Sequence, residues 1–160
     1  MDEAVLLETC IAIAVNAHRG QRDKAGNAYI LHPLRVMASV RANGGSIEQQ
    51  AAAVLHDAIE DTPVTLESLE CDGVPGEVRN LVAALTKRDG ESHDAYLERV
   101  LSVPGAALIK ETDVLDNSSR LAELEDVVVR ERLKLKYEHA LAVLRSWSST
   151  SAPAAAPPLP

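Results

Sequence analysis

The sequence predicts an all-α bundle, and three observations carry that expectation. Apolar side chains recur at i, i+3 and i+4 through most of the chain, helix start and stop residues bracket those runs, and no alternating β-branched stretch of convincing length appears. In chain order, residues 3–18 set Leu7, Cys10, Ile11, Ala14 and Val15 along one stripe, and Gly20 ends that helix. A polar, Gly-containing connection leads to His32. Pro33 sits where a first-turn proline belongs, because its missing N–H would have no intrahelical partner there, and Asn43-Gly44-Gly45 supplies the stop. Ser46-Ile47-Glu48-Gln49 is a capping-box pattern that opens a helix predicted to run unbroken through AAAVLHDAIED. Thr62-Pro63 closes it, since a residue before proline is pushed out of the helical region. Thr65 caps a short helix at 66–70, and Pro75-Gly76-Glu77 opens another that ends near Lys87-Arg88. Ser92 caps a helix through Leu101, Pro104 starts the segment holding IKETDVLDN, and an amphipathic helix over 125–146 sets Leu133, Tyr137, Leu141 and Leu144 along one side. Residues 147–160 are low-complexity Ser, Ala and Pro and predict a disordered tail, so the domain reads as 1–146.

A chain of 160 residues fits a single domain, and that length buries roughly 68–70% of the unfolded surface without disulfide staples. Cys10 and Cys71 lack Cys-x-x-Cys spacing and read as two buried free thiols, suited to a reducing cytoplasm. The acidic N-terminus is unlike a signal peptide, and its apolar stretch is interrupted at Asn16 and His18, short of a membrane span. A formal net charge of −8 argues against nucleic-acid binding. With no Phe, one Trp and three Tyr, a stacking platform for successive bases is missing as well. An acidic protein still binds a phosphorylated small molecule where a metal and a few local cations supply a positive field.

The stretch around His56-Asp57 is the most informative. On a continuous helix at about 100° per residue, His56, Asp57, Glu60 and Asp61 span an arc of roughly 140°. Ala52, Ala53, Leu55 and Ile59 supply apolar packing around them. An exposed acidic face would explain an arbitrary His-Asp pair, but three carboxylates in an Ala-rich, apolar helix are costly to bury without a cation. An imidazole and a carboxylate on adjacent positions can hold one ion, while carboxylates one turn later shuttle protons. Matching ligands occur at His32, before the helix-opening proline, and at Asp113, with Asn117 one turn on.

The stretches NAHRGQRDKAGNAYILHPLRVM, AAAVLHDAIEDT, LVAALTK and IKETDVLDN resemble, in this order, the RelA/SpoT-type HD hydrolase domain. The resemblance covers roughly residues 12 to 120 and is nearest to the small stand-alone alarmone hydrolases, such as the metazoan SpoT homologs. It implies an HD-domain helical bundle with a metal site between helices. It further implies one Mn²⁺ held by His32, His56, Asp57 and Asp113, a set of borderline hardness suited to that ion. By motif position the catalytic acids are Glu60, assigned to proton transfer with the attacking water, and Asp61, assigned to orienting the water or the phosphate. The implied reaction is hydrolysis of the 3′-pyrophosphate of (p)ppGpp to pyrophosphate and GDP or GTP, the degradation step of the stringent response, in the cytoplasm.

Arg22, Lys24, Arg35, Lys110 and Arg120 flank the motifs and are candidates for the substrate phosphates, with Lys24 matching a basic family position. Asn117 is placed for the ribose or base, and Tyr29 either lines the pocket or packs. His18 reads as a supporting or helix-capping residue, whereas His93 and His139 read as surface histidines. The family loop often runs Arg-Lys-Ser-Gly, where this chain has Asp23-Lys24-Ala25-Gly26. Ala28 replaces a usual proline, and Ser118-Ser119-Arg120 replaces Met-Arg-Thr. These departures touch base recognition and leave the metal residues intact. They keep open a second nucleotide substrate, such as (p)ppApp or NADPH, and a non-catalytic nucleotide-binding sensor. The long last helix and the tail offer surfaces for a homo-oligomer.

Overall fold

A computed structural model describes residues 2–150, with side chains up to residue 146. Among the described residues the elements are α1 (Glu3–Ala17), α2 (Leu31–Ala42), α3 (Ile47–Leu55), α4 (Ala58–Asp61), α5 (Leu66–Cys71), α6 (Gly76–Leu85), α7 (His93–Ser102), α8 (Ala106–Ser119), a 3-10 turn (Leu121–Glu123) and α9 (Val127–Thr150). The only β pairing among them is an isolated antiparallel bridge between Arg22 and Ala28, in the loop before α2. The all-α expectation holds. α9 continues to Thr150, past the predicted end at 146, and the tail predicted beyond residue 150 lies outside the described residues.

α3 is the centre of the bundle, packed against α1, α2, α6 and α8. Its six residues Gln50 to Leu55 are all buried, including three consecutive alanines that let neighbouring helices come close. Burying Val54 and Leu55 fully contributes about 1.5–3 kcal/mol each. The one polar member, Gln50, is satisfied by donating its amide to the Gly45 carbonyl at 2.9 Å. The predicted capping box is present: Gln49 N–H donates to Ser46 Oγ at 3.3 Å, and Ser46 N–H donates to Gln49 Oε1 at 2.8 Å. The other end of Gln49 donates to the Gly105 carbonyl at 2.9 Å, tying the start of α3 to the start of α8. Gly105 has φ 88°, a left-handed conformation that favours glycine.

One predicted helix is two. The run AAAVLHDAIED is interrupted at His56-Asp57, which joins α3 to α4. His56 Nδ1 donates to the Ala53 carbonyl at 2.7 Å, and so takes the acceptor that the Asp57 N–H would use in a continuous helix. Asp57 adopts φ −99°, ψ −5°, and α4 restarts from its carbonyl, which accepts from Asp61 N–H at 3.0 Å. Similarly, α6 stops at Leu85 and not near Lys87-Arg88, with Thr86 extended. Cys10 is buried in the core as expected, but Cys71, at the end of short α5, is exposed. No helix among the described residues is long and apolar enough to cross a membrane.

Candidate metal centre

The second residue of α2, the α3–α4 junction and the middle of α8 converge on one point. His32 Nε2 lies 3.1 Å from Asp113 Oδ1 and 3.6 Å from Asp57 Oδ2, while His56 Nε2 lies 3.5 and 3.0 Å from the same two oxygens. His32, His56 and Asp113 are buried and offer ligand atoms all within 4.8 Å of one another; Asp57 closes the group from a half-buried position. Each imidazole has its other nitrogen occupied. Nδ1 of His56 is on Ala53 O, and Nδ1 of His32 is on Asp116 Oδ2 at 2.7 Å. A proton at Nδ1 leaves each Nε2 lone pair aimed at the cluster. His56 Nε2 is buried and, despite its proximity to Asp57, lacks a hydrogen bond of proper alignment. Such an atom is costly to leave unsatisfied, and a divalent cation answers it. The two-imidazole, two-carboxylate set therefore fits a metal.

Burial opposes the charge on Asp57, but the His56 imidazole beside it holds the carboxyl down at about 2. Burial opposes charge on Asp113 as well, and Lys110, with the imidazoles of His32 and His56 close by, carries it well below the carboxylate range. For the histidines burial favours the neutral ring, yet Asp113 and Asp116 raise His32, and Asp57 and Asp113 raise His56, above the ordinary value. Two carboxylates thus stay ionised and attract positive charge, which is supplied by protons on His32 and His56 or by a cation competing with those protons. Tyr29 OH donates to Asp57 Oδ2 at 2.5 Å, and Asn117 Nδ2 and Lys110 Nζ donate to the two oxygens of Asp113 at 2.7 Å each. These bonds fix the carboxylates before anything binds.

Glu60 and Asp61 stand on α4, beside the cluster and more exposed. Glu60 Oε1 accepts from the Lys87 N–H, so the turn after α6 holds this carboxylate in place. Burial, then the negative charge of Asp57, raise the Glu60 and Asp61 carboxyls above their ordinary range. A raised carboxyl next to a candidate metal suits a group that takes a proton from water.

Two cavities adjoin the cluster. One, about 360 Å³, is lined by Arg22, Asp23, Lys24, His32, Arg35 and Arg120, with Leu121, Leu124 and Leu133 as an apolar wall. The other, about 190 Å³, is lined by Asp57, Glu60, Asp113, Lys87, Lys110 and Lys136. Tyr29, Asn117 and Tyr137 border both. In the larger cavity most cations already have partners: Arg22 on the Gly26 carbonyl, Arg35 on Asp116 and Arg120 on Glu123. Lys24 is exposed there and makes no ion pair among the described residues. Asp23 organises its own loop, accepting from the Ala25 and Asn27 N–H groups at 3.0 and 2.8 Å.

Residues 10–123 match the family model described as HD domain. The chain belongs to the HD-domain family. Among curated relatives, the chain is 33% identical over 146 residues to the GTP pyrophosphokinase of Streptomyces coelicolor, covering 86% of this chain and 17% of that protein. It is 32% identical over 123 residues to the guanosine-3′,5′-bis(diphosphate) 3′-pyrophosphohydrolase of Aquifex aeolicus, covering 72% and 18%. The chain thus spans less than a fifth of the length of these relatives. A solved structure of a metazoan ortholog of SpoT, reported to hydrolyze ppGpp and to play a role in starvation responses, superposes with a TM-score of 0.77 at 25% identity, covering 88% of this chain and 85% of the other.

The HD domain also contains groups that sequence reasoning passed over. Asp116 accepts from His32 and from both Nε and Nη2 of Arg35, at 2.7 and 2.9 Å, and so steers the imidazole that faces the cluster. Its position three residues after Asp113 puts both acids on one helical face, a signal the sequence carried. His93 is not the surface histidine expected. It is half-buried on the smaller cavity, with Nε2 buried and unpartnered, because α9 packs across the start of α7. His139 is exposed as expected and pairs with Asp94 at 2.7 Å. His18 caps α1, its Nδ1 on Gln21 at 2.8 Å and its ring 5.0 Å from Tyr29.

Proposed function

We propose that this HD domain is a Mn²⁺-dependent phosphohydrolase that cleaves the 3′-diphosphate of (p)ppGpp to pyrophosphate and GDP or GTP, in the cytoplasm. The observation that carries the reading is the convergence of His32, His56, Asp57 and Asp113, with the His56 Nε2 buried and without a hydrogen bond. The names of the Aquifex relative and of the solved SpoT ortholog support the substrate. His32, His56, Asp57 and Asp113 hold the ion, which supplies Lewis acidity to a phosphate oxygen and to water. The chain's own groups do the rest. Glu60, held by the Lys87 N–H, takes the proton of the attacking water, and Asp61 orients water and phosphate. The water oxygen bonds to phosphorus as the bond to the ribose 3′ oxygen breaks; that oxygen takes a proton from solvent, and Glu60 returns its own to solvent to complete the cycle. Arg22, Lys24, Tyr29, Asn117 and Arg120 border the larger cavity and receive the nucleoside and its 5′ phosphates. Lys110 on the smaller cavity neutralises Asp113 and meets the scissile phosphate.

Asp23 favours a second reading of the same site, with another 3′- or 2′-phosphorylated nucleotide as substrate, because it sets a carboxylate on the wall of the larger cavity. A hydrolysis panel of ppGpp, ppApp and NADPH with Mn²⁺, run on wild type, Asp57→Ala and Glu60→Gln, tests both. The proposal expects fastest turnover of ppGpp and loss of at least about a hundredfold in either variant. Faster turnover of ppApp or NADPH makes that nucleotide the substrate. Tight nucleotide binding without turnover under any divalent metal leaves a nucleotide-binding sensor.

A further inference from the structure

We infer that Lys87, Lys110 and Lys136 seat the diphosphoryl group that is transferred to water, and that Lys87 and Lys136 make the site selective for a diphosphate over a monophosphate ester. This assignment rests on the metal-dependent hydrolysis proposed above and names the substrate end that each cavity receives.

Three elements deliver these lysines to one pocket of about 190 Å³: the turn after α6, the middle of α8 and the middle of α9. Lys110 already has a carboxylate partner, with its Nζ 2.7 Å from Asp113. Lys87 and Lys136 make no ion pair among the described residues, although the chain has 24 acidic residues against 16 Lys and Arg. Both are exposed at the mouth of the same pocket, Lys87 on the turn after α6 and Lys136 on α9. The Lys136 ammonium is drawn below its ordinary range, first by partial burial and then by the charges of Lys110 and Lys87. A multiply charged anion between them removes the repulsion.

The position of the pocket says which anion. His32 faces the larger cavity, whereas Asp57 and Asp113 face the smaller one, so a phosphorus atom at the candidate metal lies where the two meet. The larger cavity has the apolar wall and volume for a nucleoside. Glu60, which takes the water's proton, lines the smaller cavity with the lysines. With the nucleoside in the larger cavity, the water that Glu60 activates reaches phosphorus from the smaller cavity. The second phosphate of a diphosphoryl group extends into the smaller cavity towards Lys87 and Lys136, where a monophosphate has no second group to place.

Calorimetric titration of inorganic pyrophosphate and of orthophosphate into protein carrying one equivalent of Mn²⁺ tests this without turnover, with metal content measured afterwards to exclude stripping. Wild type is expected to bind pyrophosphate at least about tenfold more tightly than orthophosphate, from the strength of charge-assisted hydrogen bonds. Lys87→Gln and Lys136→Gln are each expected to weaken pyrophosphate about tenfold and to leave orthophosphate and GDP within twofold. Equal losses for both anions, or no loss for pyrophosphate, overturn the seat. A loss for GDP matching that for pyrophosphate overturns its placement on the 3′ side. Because these affinities are read without hydrolysis, a failure to cleave ppGpp leaves the seat separately testable. With a nucleotide that is cleaved, Lys136→Gln raises KM for the diphosphate ester and spares the corresponding monophosphate ester.

Discussion

Asp116→Asn isolates the support of the metal site from the site itself, because Asp116 lies behind His32 and faces away from the cluster. The carboxylate accepts three hydrogen bonds, from His32 Nδ1 at 2.7 Å, Arg35 Nε at 2.7 Å and Arg35 Nη2 at 2.9 Å. An amide keeps only one acceptor oxygen and turns an N–H towards a donor, so the His32 ring loses the partner that aims its Nε2. Loss of such an outer partner typically costs about 10–100-fold in metal affinity, or about 1.4–2.8 kcal/mol. The titration of Asp116 gives a consistent scale for the metal-free protein. Burial alone would raise this carboxyl, but the hydrogen bonds from His32 and Arg35 carry it from 3.8 to about 2, which corresponds to about 2 kcal/mol. A depressed carboxyl stabilises the fold above its unfolded value, and the contribution fades as pH falls through the folded one. Mn²⁺ affinity by calorimetry and melting curves in EDTA separate the two effects. The variant should bind Mn²⁺ at least about tenfold more weakly. In EDTA it should be less stable near neutral pH, with the gap to wild type closing as pH falls from about 4 to 2. A folded variant that binds Mn²⁺ within twofold of wild type would refute the role given to Asp116.

Other consequences are equally open to measurement. His32 and His56 are raised above their ordinary range in the metal-free protein, so a cation must displace protons. Mn²⁺ affinity should therefore fall as pH drops from 8 to 6, with proton release visible as a buffer-dependent binding enthalpy; a pH-independent affinity contradicts this. Gly105→Ala forces a side chain into φ 88° and within 3.0 Å of Gln49 Nε2. It should cost about 1–2 kcal/mol and lower Tm by about 2–8 °C, whereas an unchanged Tm would show that the α3–α8 tie is relaxed. Burial pushes the Cys10 thiol up to about 11, while Cys71 is exposed. A thiol reagent at pH 8 should therefore label one cysteine in the native protein and two in denaturant, and rapid labelling of both natively would contradict the packing of α1.

The parts of this account legible in the sequence are those encoded within one turn of helix or one cap. Pro33 after His32, the Ser46–Gln49 box and the i, i+4 pair Asp113 and Asn117 each fix a local geometry, and the packing of α2, α3 and α8 brings the four candidate ligands together. The interruption at His56-Asp57 was not legible, because every residue from Ala51 to Asp61 is compatible with a helix. The break follows from the imidazole of His56 taking the Ala53 carbonyl. It turns the adjacent His56 and Asp57 towards the same point as His32. The lining of the smaller cavity is invisible for another reason. Lys87, His93 and Lys136 lie in different segments, and only the packing of α9 against α7 and α8 gathers them. Asp116 was readable by its spacing, but among 24 acidic residues nothing local marked it out before His32 and Arg35 were seen to share it.

The central claim is that the His32, His56, Asp57 and Asp113 cluster holds a metal that hydrolyses a nucleotide 3′-diphosphate at phosphorus. Hydrolysis of ppGpp by the Mn²⁺-loaded protein in ¹⁸O-labelled water, with products resolved by mass, tests it most directly. The account predicts GDP without label and pyrophosphate with one ¹⁸O per molecule, both abolished by EDTA and restored by Mn²⁺. Label in the nucleoside, orthophosphate in place of pyrophosphate, or intact ppGpp beside a protein with Mn²⁺ bound would contradict it.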